Sequence, residues 1–180
     1  GDWFDWAALR AVAESFTRGY VVVIGDVPDG HPPMPTNVRF LGLKPQETLA
    51  GYLAAFDVGI IPFSVSPVTH AVSPLKVYEY LAMGVPVAAP PLRALAGLDG
   101  VHVDDDLVAA VQAALVSPRP NSRWVLEEHS WTARVRSILA AAGWPPSSPG
   151  EGHPVETVVR PARHHARRER SVEQHHASGG

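Results

Sequence analysis

Lys76 and Glu79 stand three residues apart in the segment Ser73-Pro74-Leu75-Lys76-Val77-Tyr78-Glu79-Tyr80-Leu81-Ala82-Met83-Gly84-Val85-Pro86-Val87. Ser73 and Pro74 read as the cap and first turn of a helix that runs through Met83 and stops at Gly84. First-turn amides have no partner inside a helix, and together with the helix dipole they form an anion site. Lys76 places a positive charge in that turn, against the dipole preference, which points to an anionic partner. Glu79 falls on the same face as Lys76. Its carboxylate can accept hydrogen bonds from two neighbouring sugar hydroxyls. Leu75, Tyr78, Leu81 and Ala82 are expected on the opposite, core-facing side. The bland alternative is that Lys76 and Glu79 are an ordinary solvated ion pair.

Other chemistries are excluded or weak. The chain has no cysteine, so disulfides, thiolate metal sites and a cysteine nucleophile are ruled out. Neither GxGxxG nor GxxxxGK[ST] occurs, so two common phosphate-binding fingerprints are absent. Asp104, Asp105 and Asp106 read as a capped, solvated helix start and not as a metal site. The net charge of −3 does not point to nucleic acid or to an anionic membrane. No apolar run reaches the roughly 18 residues that a membrane span needs, and no secretory leader pattern is visible in these residues.

The 180 residues are expected to divide at a Pro/Ser/Gly linker, with a folded domain over 1–145 and a tail over 146–180. The tail has five histidines, five arginines, four glutamates and no Leu, Ile, Phe, Trp or Tyr. It cannot bury enough apolar surface to offset chain entropy and is expected to be disordered. The pairs His164-His165 and His175-His176 could hold a metal weakly but read as part of a solvated polar segment.

Within 1–145, helix and strand patterns alternate. Residues 3–17 carry apolar side chains at helical spacing, with Asp2 as the expected N-cap. Residues 20–24 form a continuous β-branched run, the mark of a strand buried on both faces. Further strands are expected at 38–41, 57–61, 85–89 and 101–103. Helices are expected at 45–56, 104–115, 121–128 and 131–142, the last capped by Ser130, and 62–73 reads as loop. Such alternation predicts an α/β fold, a doubly wound parallel sheet covered on both faces. Ligands of such sheets bind beyond the carboxyl ends of the strands, so the loops after Ile24, Leu41, Ile61 and Ala89 are the ones to inspect.

The segment from Ser73 to Val87 resembles the nucleotide-sugar signature of group-1 glycosyltransferases (family four, GT-B fold), in the branch reading SPLK-x-YEYLA. Asn37-Val38-Arg39-Phe40-Leu41-Gly42 is similar to that family's NVxFLG strand and turn. The stretch from Glu47 to Phe63 resembles its EEL-x-x-YLAAFDV-x-LIPF pattern. Trp3-Phe4-Asp5-Trp6 is similar to its WFDW opening, and Ser130-Trp131 to its closing SW-x-x-R. The resemblance covers roughly residues 2–142.

This resemblance implies a Rossmann-like domain, the carboxyl-terminal, donor-binding half of a GT-B fold. The implied activity is transfer of a hexose from a nucleoside-diphosphate sugar, with retention, to a carbohydrate or lipid-linked acceptor in bacterial cell-surface polysaccharide synthesis. It implies no metal and no cofactor beyond the donor, and no nucleic-acid partner. The implied location is cytoplasmic, at the inner face of the membrane. Glu79 matches the second glutamate of the family's E-x7-E motif, which holds the ribose hydroxyls; Ala71 stands where the first glutamate belongs. Ser73, Pro74 and Leu75 match the loop and first turn whose amides face the diphosphate, and Lys76 is the expected cation. Gly42 and Leu43 match the turn beside the base, and His70 lies in a loop near the donor sugar. Trp131 is expected to pack, Asp57 to fix a strand start, and no catalytic residue is assigned. An acceptor domain and the donor domain's first, central strand have no counterpart in these residues, so the chain is expected to be a fragment of a longer enzyme and inactive alone. Two other readings remain: a non-catalytic interaction module derived from such an enzyme, and a GT-B-like sugar-nucleotide epimerase.

Overall fold

A computed structural model describes residues 3–27 and 30–144; the expected tail lies outside the described residues. Helix α1 spans Trp6–Ser15 and is capped by Asp5, whose carboxylate accepts from the Ala8 amide at 2.8 Å. The cap is therefore Asp5 and not Asp2, three residues later than expected. Strand β1, Val21–Ile24, and strand β2, Val38–Gly42, follow, then helix α2, Gln46–Ala54, and strand β3, Gly59–Ile60. The expected loop at 62–73 contains a short helix, α3, Pro67–His70, held by a reciprocal Ser66–Thr69 capping box. Helix α4 spans Leu75–Ala82, strand β4 Val87–Ala89 and strand β5 Val101–Val103, with a 3₁₀ turn, Arg93–Leu95, between the two strands. Helix α5, Leu107–Val116, is capped by Asp106; helix α6 is Arg123–Glu128; helix α7, Trp131–Ala141, is capped by Ser130 as expected.

The architecture is α/β with parallel strands and Rossmann-like layering. The sheet is divided in two. β1 pairs with β2, and β3 pairs with β4, which pairs with β5, all in parallel. No strand among the described residues joins β1 to β3, so these two edges are left unpaired. Helices α1 and α5 bridge the division on one face. Leu9, Val12 and Ala13 of α1 share a buried cluster with Val21, Val38, Ala88 and the inner side of α5. The other face of the larger sheet is covered by α4, where Val77 and Leu81 pack on Val87, Ala89 and Ile61. Alternate residues of β4 thus feed opposite layers, as parallel strands buried on both faces require.

Polar ties set the strand direction. The Asp5 amide donates to the Pro62 carbonyl at 2.7 Å, and the Ser64 amide to the Trp3 carbonyl at 2.8 Å. The amino end of α1 therefore sits where β3 ends. At the other end of α1, the Asn37 side-chain amide donates to the carbonyls of Ala13 (2.8 Å) and Phe16 (3.3 Å), just before β2 begins. All strands consequently direct their carboxyl ends toward the same edge.

Gly59 sets how closely α4 approaches β3. A Cβ at that position would lie 2.5 Å from the ring of Tyr80, near its rigid root and not at a flexible tip. Gly59→Ala is expected to cost about 1–3 kcal/mol through overpacking, measurable as a lower urea midpoint at unchanged slope.

Candidate functional site

The residues singled out in the sequence gather at the carboxyl edge of the strands, in two groups. One is built on α4. Pro74 is the N-cap and makes no side-chain cap bond, so the expected cap role of Ser73 is not fulfilled. Pro74 has no N–H, and the amides of Leu75 and Lys76 find no protein acceptor among the described residues. The first turn therefore presents free donors beside an exposed loop, the geometry of an anion site.

Lys76 Nζ lies 2.7 Å from Glu79 Oε2, and both side chains are well exposed. An exposed i,i+3 pair contributes only about 0.2–1 kcal/mol, so it can be exchanged for a ligand at little cost. Leu75 is also exposed, at 58%, and does not belong to the core. The buried face of α4 is Val77 and Leu81, with Tyr78, Tyr80 and Ala82 partly buried against it. Leu75 departs from the expected face, because the buried side of α4 runs through Val77 and Leu81. Tyr80 keeps its proton to higher pH than a free tyrosine, first because of burial and second because Glu79 is nearby.

A second feature joins the loops after β3 and β4. His70, at the end of α3, accepts a long hydrogen bond from the Arg93 amide, 3.4 Å to Nδ1. His70 and Arg93 line a concavity of roughly 390 Å³ together with Val65, Ser66 and Pro67. Arg93 adds a cation to this edge that no motif had marked. Its only sequence signal was its place in the loop after a strand, where ligand-binding side chains concentrate.

Gly42 and Leu43 form the second group, at the end of the β1–β2 pair. Gly42 has φ of +68°, and Leu43 is 74% exposed. Gly42 turns the chain out of the sheet in a left-handed conformation that a side chain would strain. No hydrogen bond or ion pair among the described residues links this turn to α4.

The remaining candidates resolve structurally. Asp104 accepts from the Asp106 amide and Asp106 from the Val108 amide, both at 2.9 Å, which makes the triple-acid start a capping arrangement. Trp131 is 80% exposed, so the expected packing role is not seen; Val125 of α6 and Ala133 of α7 are buried instead. Asp57 stands just ahead of β3.

No protein-family model matches the chain. An alignment of 120 positions that covers 59% of the chain shows 27% identity to TuaH of Bacillus subtilis (strain 168), whose own provisional assignment is as a teichuronic acid biosynthesis glycosyltransferase. The aligned stretch spans only 30% of that relative's length. The chain is thus distantly similar to a glycosyltransferase over part of one Rossmann-like unit.

Proposed function

We propose that the chain is the donor-binding domain of a glycosyltransferase that uses a nucleoside-diphosphate sugar, UDP- or GDP-linked, to transfer a hexose to a carbohydrate or lipid-linked acceptor. The observation that carries this reading is the start of α4: free amides at Leu75 and Lys76, a cation in the first turn and a carboxylate one turn on. The diphosphate sits on the free amides, with Ser73 and Pro74 shaping the loop that leads to it. Lys76 swings from Glu79 to the phosphate oxygens and offsets the charge that grows as the sugar departs. Glu79, released from Lys76, accepts from the two ribose hydroxyls. The turn at Gly42 and Leu43 takes the base, while His70 and Arg93 face the sugar end. No step requires a metal ion or another cofactor.

The similarity to TuaH, provisionally a teichuronic acid biosynthesis glycosyltransferase, supports a place in polysaccharide synthesis; work at the cytoplasmic face of a bacterial membrane is part of the proposal. No helix among the described residues is long and apolar enough to cross a membrane. Transfer also needs the acceptor held against the donor.

Calorimetry with UDP, GDP and inorganic pyrophosphate tests the reading. Binding of one nucleoside diphosphate at millimolar concentration or better is expected. Glu79→Gln should weaken that nucleotide about tenfold or more, because a ribose contact to a charged acceptor is lost. It should leave pyrophosphate binding equal or stronger, since Lys76 no longer has a competing partner. Absence of nucleotide binding, or equal loss for both ligands, removes the ribose assignment and favours a non-catalytic interaction module.

A further inference from the structure

The loops after β3 and β4 meet in the concavity of roughly 390 Å³ lined by Val65, Ser66, Pro67, His70 and Arg93. A volume of that order suits a small-molecule group. Arg93 begins the 3₁₀ turn that lies between Leu92 and Leu95, both fully buried, so the cation stands on backbone anchored close by on either side. Its guanidinium has no carboxylate or carbonyl partner among the described residues, which leaves five N–H donors for a ligand. The Arg93 amide donates to Nδ1 of His70 at 3.4 Å. Nδ1 therefore holds no proton in the neutral ring, and Nε2 carries it as a donor. The Ser66 hydroxyl is engaged within its own capping box. It accepts from the Thr69 amide at 3.2 Å and donates to Thr69 Oγ1, whose own proton goes to the Ser64 carbonyl at 2.7 Å. Among the described residues, no carboxylate or carboxamide lines the concavity. Its free side-chain groups are thus dominated by donors, beside the apolar surfaces of Val65 and Pro67.

We propose, resting on the start of α4 as the diphosphate site, that this concavity reads a carboxylate on the transferred sugar: the donor is a nucleoside-diphosphate hexuronate, and Arg93 is the residue that selects it. A neutral hexose presents hydroxyls, each with a proton to give, and sites that read them supply acceptors such as carboxylates and carboxamides. None stands here. An ionised carboxylate only accepts, and it suits a wall of donors. The planar guanidinium meets both of its oxygens with two parallel N–H···O bonds, a fit that a single hydroxyl cannot reproduce. His70 Nε2–H adds a further donor, and Val65 and Pro67 give apolar surface for the C–H face of a sugar ring. Only Ala71 to Pro74 separate His70 from α4, and none of them is charged, so this connection brings no acid to compete for Arg93. A phosphate has the same acceptor chemistry as a carboxylate, but the start of α4 carries its own cation for the diphosphate, Lys76.

The probes are UDP-glucuronate and UDP-galacturonate, each paired with its neutral hexose counterpart, and GDP-mannuronate paired with GDP-mannose. They are titrated by calorimetry into the full chain, beside UDP and GDP alone. Expected is about tenfold tighter binding of a hexuronate than of the neutral sugar on the same nucleotide. Arg93→Gln should abolish that difference at an unchanged Tm, since the side chain is exposed. Arg93→Lys, which keeps the charge without the fork, should restore part of it. The proposal is overturned by equal binding of hexuronate and neutral sugar, or by a preference that survives Arg93→Gln. It is also overturned if Arg93→Gln weakens the bare nucleoside diphosphate as much as the hexuronate, which assigns the guanidinium to the diphosphate. In all three outcomes nucleotide still binds, so the sugar assignment falls alone; no binding of any nucleotide takes down the diphosphate site at α4 together with it.

Discussion

Leu81→Ala is expected to destabilise the fold by about 3 kcal/mol, within the roughly 2–5 kcal/mol spread for buried leucine truncations. Leu81 is fully buried, on the face of α4 that packs against Ile61, Val87, Leu92 and Leu95. Its Cδ2 also abuts Gly100, a glycine at φ of +78° whose missing side chain makes room for it and for Pro120. These neighbours belong to separate strands and turns and cannot all move in to fill the gap, so most of the cavity cost remains. For a chain of this size the loss corresponds to a Tm lower by about 10 °C. Urea unfolding of the variant, beside Leu81→Met as a volume-conserving control expected to cost less than about 1.5 kcal/mol, checks the value. A loss below about 1 kcal/mol for Leu81→Ala would mean that α4 is not anchored through this side chain.

Lys76→Ala is expected to weaken UDP or GDP binding by about ten- to a hundredfold, the loss of one or two charge-assisted hydrogen bonds. The lysine is exposed and its ion pair with Glu79 is worth little, so Tm should barely move. The remaining binding should also lose part of its dependence on salt concentration, because one cation no longer faces the phosphates. Titration of wild type and variant at two ionic strengths separates these effects. Unchanged affinity would place the diphosphate elsewhere on the strand edge, with the Arg93 concavity the next location to examine.

The elements that position this site were legible where one physical signal dominated. The β-branched run ending at Ile24 does form a strand, though only Val21 is fully buried, Val22 to Ile24 are half-buried and Tyr20 is exposed outside it. Ser130 ahead of a periodic segment gave the correct cap for α7. The start of α4 followed from proline ahead of its first turn, although Ser73 was given a cap role that it does not perform. Failures fell where local signals were short or duplicated. Helix α3 has four residues, too few for periodicity, and rests on a Ser66–Thr69 capping box that the three-residue spacing could have suggested. Asp2 and Asp5 are both acceptable caps by residue type, and only the contact with the Ala8 amide selects Asp5. Arg93 was invisible because its relation to His70 is made by tertiary structure, not by spacing. That β1 and β3 would either pair directly or stand unpaired could be posed from the sequence; the second outcome is what the fold adopts.

The pinning of residues 3–5 to the end of β3 has an energetic meaning for ligand binding. The block from α1 to β2 is held to the block around β4 by helix packing and these few backbone bonds, with no strand ladder between them among the described residues. Such blocks can open relative to one another at less cost than global unfolding. The turn assigned to the base, at Gly42, lies on one block, and the amides assigned to the diphosphate, at the start of α4, lie on the other. A nucleotide that spans both acts as a molecular clamp, so part of its binding energy is stored as cohesion between the blocks, and anything that independently locks them together raises the affinity for nucleotide by the same coupling.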